Sequence, residues 1–162
     1  MLENFKSFWG DFVQPIYQRP KRLQLAALCY RFHGDELQVL LITSRDTGRW
    51  VVPKGWPMKG KDSTGTALQE AWEEAGVFET RAVGKRALGS FVYEKRLKRG
   101  WSQPIEVWVY SAEVVKMCAD FPEAHERKLR WFTPAEAAAR VLEPGLKKLI
   151  LDFDPKVTPQ NT

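Results

Sequence analysis

Residues 55–77 read GWPMKGKDSTGTALQEAWEEAGV, and their decisive core is Glu70-Ala-Trp-Glu73-Glu74-Ala-Gly76. Carboxylates spaced i, i+3 and i+4 share one face of a helix, stacked over adjacent turns. They fall in the last turn of that helix, where the backbone dipole already disfavours anions, and they repel one another as well. Two local rules broken at one place point to function. A divalent cation relieves the repulsion, and oxygen-only ligands suit Mg²⁺ or Mn²⁺. A solvated acidic helix end is the plain alternative, and these seven residues alone do not decide between the two.

The flanks decide. An apolar stretch, Trp50-Val51-Val52, leads into the turn Pro53-Lys54-Gly55, then into a polar, glycine-rich loop and the glutamate helix. Strand, loop and helix in that order gather backbone groups and carboxylates around one spot. Here the chain resembles the Nudix hydrolase family, whose box is G-x5-E-x7-R-E-U-x-E-E-x-G-U with U aliphatic. Gly55, Glu70, Ala71, Glu73, Glu74, Gly76 and Val77 match it at the right spacing, whereas Lys61 stands in place of Glu and Gln69 in place of Arg. The resemblance implies an α/β fold, the Nudix-type α/β/α sandwich with a mixed sheet between helices. It also implies Mg²⁺ as cofactor, with Mn²⁺ able to substitute. Glu70 and Glu74 are then metal ligands, joined by the main chain at Lys54 and Gly55, and Glu73 is the candidate base. Gln69 can donate hydrogen bonds but brings no charge to orient the carboxylates, and Lys61 removes an acid from the loop.

Composition fits one catalytic domain. With 162 residues and 44% hydrophobic content, the chain can bury a core without disulfides or structural metal. Cys29 and Cys118 lack metal-ligand spacing and read as reduced packing residues of a cytoplasmic protein. No stretch approaches the length of a membrane span, and no signal-peptide pattern opens the chain. The net charge of +5 favours an anionic partner. A phosphorylated small molecule is expected ahead of nucleic acid, with no membrane partner.

Three segments follow from the pattern. Residues 1–20 form an amphipathic extension in which Phe5, Phe8, Trp9, Phe12 and Val13 recur at helical spacing. That stripe suits packing on the domain or on a second copy of the chain, which makes a homodimer a candidate assembly. Residues 21–153 form the hydrolase domain and residues 154–162 a flexible tail. Within the domain, residues 23–32 and 37–43 read as strands covered on both faces, because their apolar runs are nearly continuous. Residues 81–93 and 105–115 read as a second strand pair joined by a basic loop, residues 94–103. A short strand over 129–132 precedes a helix capped by Thr133, and Pro144 opens a last helix with Leu146, Leu149 and Ile150 on its apolar face.

A diphosphate linkage is anionic, so an attacking water must overcome repulsion and the leaving phosphate must be neutralised. Outside the box, several segments resemble the diphosphoinositol polyphosphate phosphohydrolases, which also cleave diadenosine polyphosphates. Thr43-Ser44-Arg45 followed by Arg49-Trp50, then Arg96, and then Arg127-Lys128-Leu129-Arg130-Trp131-Phe132 carry that likeness. It implies substrate-binding roles for Thr43, Ser44, Arg45, Lys54, Arg96 and Arg127. Arginine suits the task because its planar fork grips phosphate bidentately and stays charged. Glu123 and Glu126 could add an outer carboxylate from a later loop, or simply face solvent. The other readings are a hydrolase of other nucleoside diphosphate derivatives or RNA 5′ ends, with Trp50, Trp56, Tyr93 or Trp101 stacking a base, and a non-catalytic ligand-binding domain.

Overall fold

A computed structural model describes residues 22–157. The N-terminal extension and residues 158–162 therefore lie outside the described residues. Chain order runs β1 (Arg22–His33), β2 (Glu36–Thr43), β3 (Trp50–Val51), β4 (Lys54–Gly55), α1 (Ser63–Ala75), β5 (Val77–Arg81) and β6 (Gly89–Arg96). It continues through a 3-10 turn (Lys98–Gly100), β7 (Ser102–Met117), β8 (Leu129–Phe132), α2 (Pro134–Arg140) and α3 (Pro144–Asp152). All eight strands belong to one sheet. β1 runs parallel to β7, while its pairings with β2 and β4 are antiparallel, as is that of β6 with β7. The sheet is thus mixed, as expected.

Two cores explain the near-continuous apolar strands. Ala26, Leu28 and Tyr30 of β1, with Val39 and Leu41 of β2, pack against Ala137, Leu146, Ile150 and Phe153 from the α2–α3 side. The alternate residues Leu25, Ala27, Cys29, Leu40 and Ile42 pack against Ala67, Ala71 and Ala75 of α1. Because successive side chains of a strand point to opposite faces, an unbroken apolar run means both faces are covered. The result is a helix, sheet and helix sandwich. The alanines at every fourth position let α1 lie close on the sheet, which brings its glutamates to the end of β1 and β4.

Local signals set the helix limits. Asp62 caps α1 by accepting the Gly65 N–H at 2.7 Å. Thr133 and Glu136 form a reciprocal capping box at the start of α2. The box glycine Gly76 ends α1 in the left-handed region at φ 71°, and a Cβ there would strike the Cys118 carbonyl.

One expectation is corrected. The single strand read over residues 81–93 is two strands, β5 and β6, separated by residues 82–88. β5 starts at Val77, directly after the α1 C-cap Gly76, and shares only Arg81 with the expected strand. Correspondingly, the basic loop is shorter than 94–103, since β6 and β7 pair up to Arg96 and Ser102. Residues Asp154 to Val157 form a hydrogen-bonded turn that follows the buried Phe153. Among the described residues, no helix is long and apolar enough to cross a membrane.

Candidate active site

β4 is only two residues long, and its pairing with Leu25 and Ala26 of β1 lays Gly55 directly under α1. The Glu70 carboxylate occupies the space a side chain at position 55 would need. Glycine is required here for close approach rather than for an unusual φ. One helical turn later, Glu74 is buried; its Oε2 accepts the Lys54 N–H at 3.2 Å and its Oε1 accepts from Arg127 Nη2 at 3.1 Å. Strand β4 and the glutamate helix are thus joined by side chain and backbone together.

Arg127 organises the neighbouring wall. Its side chain is 7% exposed, and besides Glu74 it reaches the Thr43 carbonyl at 3.1 Å and Glu123 Oε1 at 3.3 Å. Thr43 is fastened in return, its hydroxyl accepting the Lys128 N–H at 2.9 Å. The same Glu123 oxygen meets Arg45 Nη1 at 3.1 Å, and Glu126 lies 3.6 Å from that guanidinium. The Glu123 N–H donates to the Glu73 carbonyl at 3.0 Å, which ties this loop to α1.

These elements enclose a cavity of about 1290 Å³. Of the residues singled out from sequence, Ser44, Arg45, Lys54, Gly55, Glu70, Glu74, Arg96 and Arg127 line it. Thr43 does not; it stands behind the wall as the anchor of Arg127 and Lys128. Glu73 does not line it either, and its carboxylate accepts from the Gln69 side chain at 3.1 Å. Gln69 therefore steadies one glutamate by hydrogen bonding, without charge. Lys61 is exposed beside the N-cap of α1 and away from the cavity lining.

Sequence reasoning missed the pairing of the half-buried Arg49 with the buried Glu143, both of which line the cavity. Glu143 precedes Pro144 at the start of α3 yet makes no capping bond to its own helix. The Arg49-Trp50 stretch carried a hint of the first partner, but nothing local points to a residue 94 positions away. Tyr93 and Gln24 also face the cavity, joined by a 2.7 Å hydrogen bond, and the Lys54 ammonium lies 5.2 Å above the Tyr93 ring.

The electrostatics reflect crowding. Burial, followed by the charges of Glu74, Glu73 and Glu123, pushes the Glu70 carboxyl up to about 7. Burial likewise raises Glu74, against the pull of Arg127 and Lys54. Lys54 is lowered, first by burial and then by Arg49 and Arg127, while Glu74 and Glu143 oppose the shift. Two adjoining carboxylates held in a partly buried place, with glycine backbone beside them, make an all-oxygen donor set. Among the described residues, no three acidic, imidazole or thiol groups converge on one point. Mg²⁺ keeps several waters and takes one or two carboxylates together with substrate phosphates, so a pair of carboxylates fits it. Glu70 and Glu74 would hold it.

Comparison with known proteins gives the chain's family and fold. A family model described as the NUDIX domain matches residues 22–153. Diphosphoinositol polyphosphate phosphohydrolase 3-beta of Bos taurus is 32% identical over 122 residues, which span 73% of this chain and 67% of that protein. Diphosphoinositol polyphosphate phosphohydrolase 2 of Mus musculus is also 32% identical over 122 residues, covering 61% of its length. A C. elegans Ap4A hydrolase superposes with a TM-score of 0.57 at 17% identity, over 81% of this chain and 94% of that one. The E. coli dihydroneopterin triphosphate pyrophosphohydrolase does so with a TM-score of 0.60 at 15% identity, over 82% and 95%. At such identities these two structures speak to the fold alone.

Proposed function

The chain belongs to the Nudix family, and from that premise we propose a Mg²⁺-dependent pyrophosphohydrolase acting on a highly anionic phosphorylated small molecule, of the diphosphoinositol polyphosphate or dinucleotide polyphosphate type. One observation carries the reading. Glu70 and Glu74 line the same cavity as Arg45, Arg96, Arg127 and Lys54, so carboxylates that could hold a cation and cations that could grip phosphate border one space, with Arg127 joined directly to Glu74.

In this reading the arginines and Lys54 grip the phosphates, Ser44 offers a hydroxyl at the same wall, and Thr43 acts by holding Arg127 in place. Glu70 and Glu74, with the main chain of Lys54 and Gly55, would hold Mg²⁺ or Mn²⁺. When bound, the cation supplies Lewis-acid neutralisation of the diphosphate oxygens. Glu73, once released from the Gln69 amide, takes the proton of the attacking water as the phosphoanhydride bond breaks. A second assignment has its own support: Glu70 faces the cavity, and with its carboxyl raised to about 7 it can take up and release a proton near neutral pH, as a general base does.

Phosphate release from a panel of diphosphates, with and without Mg²⁺, tests the proposal. Mg²⁺-dependent cleavage of diphosphoinositol or dinucleotide polyphosphates is expected. Selective cleavage of nucleotide sugars or triphosphorylated RNA ends would replace the substrate class. If every compound survives while one raises the melting temperature, the domain binds without catalysis.

A further inference from the structure

We propose that Glu123 is an internal stand-in for a substrate phosphate, a carboxylate that occupies the two-arginine grip until a polyanion displaces it. The inference rests on the reading of Arg45 and Arg127 as phosphate-binding residues. Both guanidiniums converge on one oxygen, Glu123 Oε1, at 3.1 Å from Arg45 Nη1 and 3.3 Å from Arg127 Nη2. Two forked cations on a single anionic oxygen is the arrangement a phosphate oxygen takes between arginines. The carboxylate is 17% exposed and comes from the loop between β7 and β8, tethered to α1 through its own N–H and the Glu73 carbonyl. Its backbone anchor does not depend on its side chain, so the side chain can leave while the loop stays.

The consequence is selectivity by charge. Arg127 keeps Glu74 and the Thr43 carbonyl whatever happens to Glu123, so it remains in position with one Nη2 hydrogen freed for a ligand. Arg45 is held only by Glu123 and Glu126 among the contacts of the described residues, and its side chain is 56% exposed. A weakly charged ligand gains too little from these cations to expel a carboxylate already there. A polyphosphate, touching both arginines and Arg96 at once, gains enough. Glu123 thereby raises the threshold for entry and narrows the substrates to the most anionic.

The test is binding of inorganic tripolyphosphate, followed by calorimetry in chelator-treated buffer, so that affinity is read without turnover. Glu123→Gln is expected to tighten binding by about fivefold, because the arginines no longer surrender an ionic partner. Asp46→Asn removes one negative charge from the cavity lining, which Glu123 borders only through its two arginines, and leaves both arginines' partners in place; it is expected to change the affinity far less. Weaker or unchanged binding in Glu123→Gln would show that Glu123 merely props the arginines and would overturn the proposal. Equal tightening by Asp46→Asn would overturn it too, reducing the effect to overall charge. Glu123→Ser, which likewise removes the carboxylate, gives the same expected direction should the Gln variant not fold. Failure of the protein to hydrolyse any diphosphate would count against the proposed function without altering this readout.

Discussion

Glu70 lies across Gly55 so closely that the carboxylate fills the place of a Cβ. Strand β4 and helix α1 can therefore meet only if position 55 carries no side chain. Gly55→Ala should displace the carboxylate or force β4 away from β1, costing about 1–3 kcal/mol of stability, as overpacking does. The Mg²⁺ concentration for half-maximal rate should rise at least severalfold. Chemical denaturation and a metal titration of the rate measure the two effects, and an unchanged metal requirement would separate Gly55 from the cation.

Glu73→Gln should leave the fold intact and lower kcat by about 10²-fold or more if Glu73 is the base. Glu70→Gln and Glu74→Gln should instead shift the Mg²⁺ dependence. Turnover at the wild-type level in Glu73→Gln would hand the base to Glu70. Steady-state rates across a Mg²⁺ series, for all three variants, decide it.

The raised Glu70 carboxyl predicts how the metal-free protein responds to pH. Its ordinary value is 4.5 and the folded one about 7, so the fold binds this proton more tightly than the unfolded chain does. The stabilisation is complete below the unfolded value and disappears as pH climbs through the folded one. Melting temperature in chelator should therefore decline between about pH 4.5 and pH 7 in wild type and decline less in Glu70→Gln. Adding Mg²⁺ at pH 7.5 should restore stability to wild type more than to the variant.

Arg127 and Arg96 line one cavity but differ in burial, and their losses should differ in kind. Arg127→Ala strands the buried Glu74 carboxylate and frees Thr43, costing about 3 kcal/mol. Arg96 is exposed on β6, so Arg96→Ala should leave the melting temperature within a degree or two while raising KM. Denaturant curves beside substrate saturation curves distinguish the two. A large stability loss in Arg96→Ala would mean that it supports the hairpin rather than the substrate.

Much of this was legible because it is local. The spacing of Glu70, Glu73 and Glu74 obeys helical geometry, Thr133 announces a helix by capping chemistry, and the apolar runs of β1 and β2 report covered faces. The strand break at residues 82–88 was not legible, because apolar and polar residues there follow neither period cleanly. Nor was the exclusion of Glu73 and Thr43 from the cavity lining. Both look equivalent to their neighbours until α1 and β2 are packed.

The amino-acid order alone settled which family's box the chain carries, where its helix of glutamates ends, and which cations accompany it. Only the folded chain brought Arg49 to Glu143, set Arg45 and Arg127 on one Glu123 oxygen, and laid Glu70 on Gly55. The division follows from range. Caps, periods and spacings are energies between near neighbours and repeat in every helix or strand. Ion pairs across a cavity depend instead on sheet order and on how closely one helix settles on that sheet.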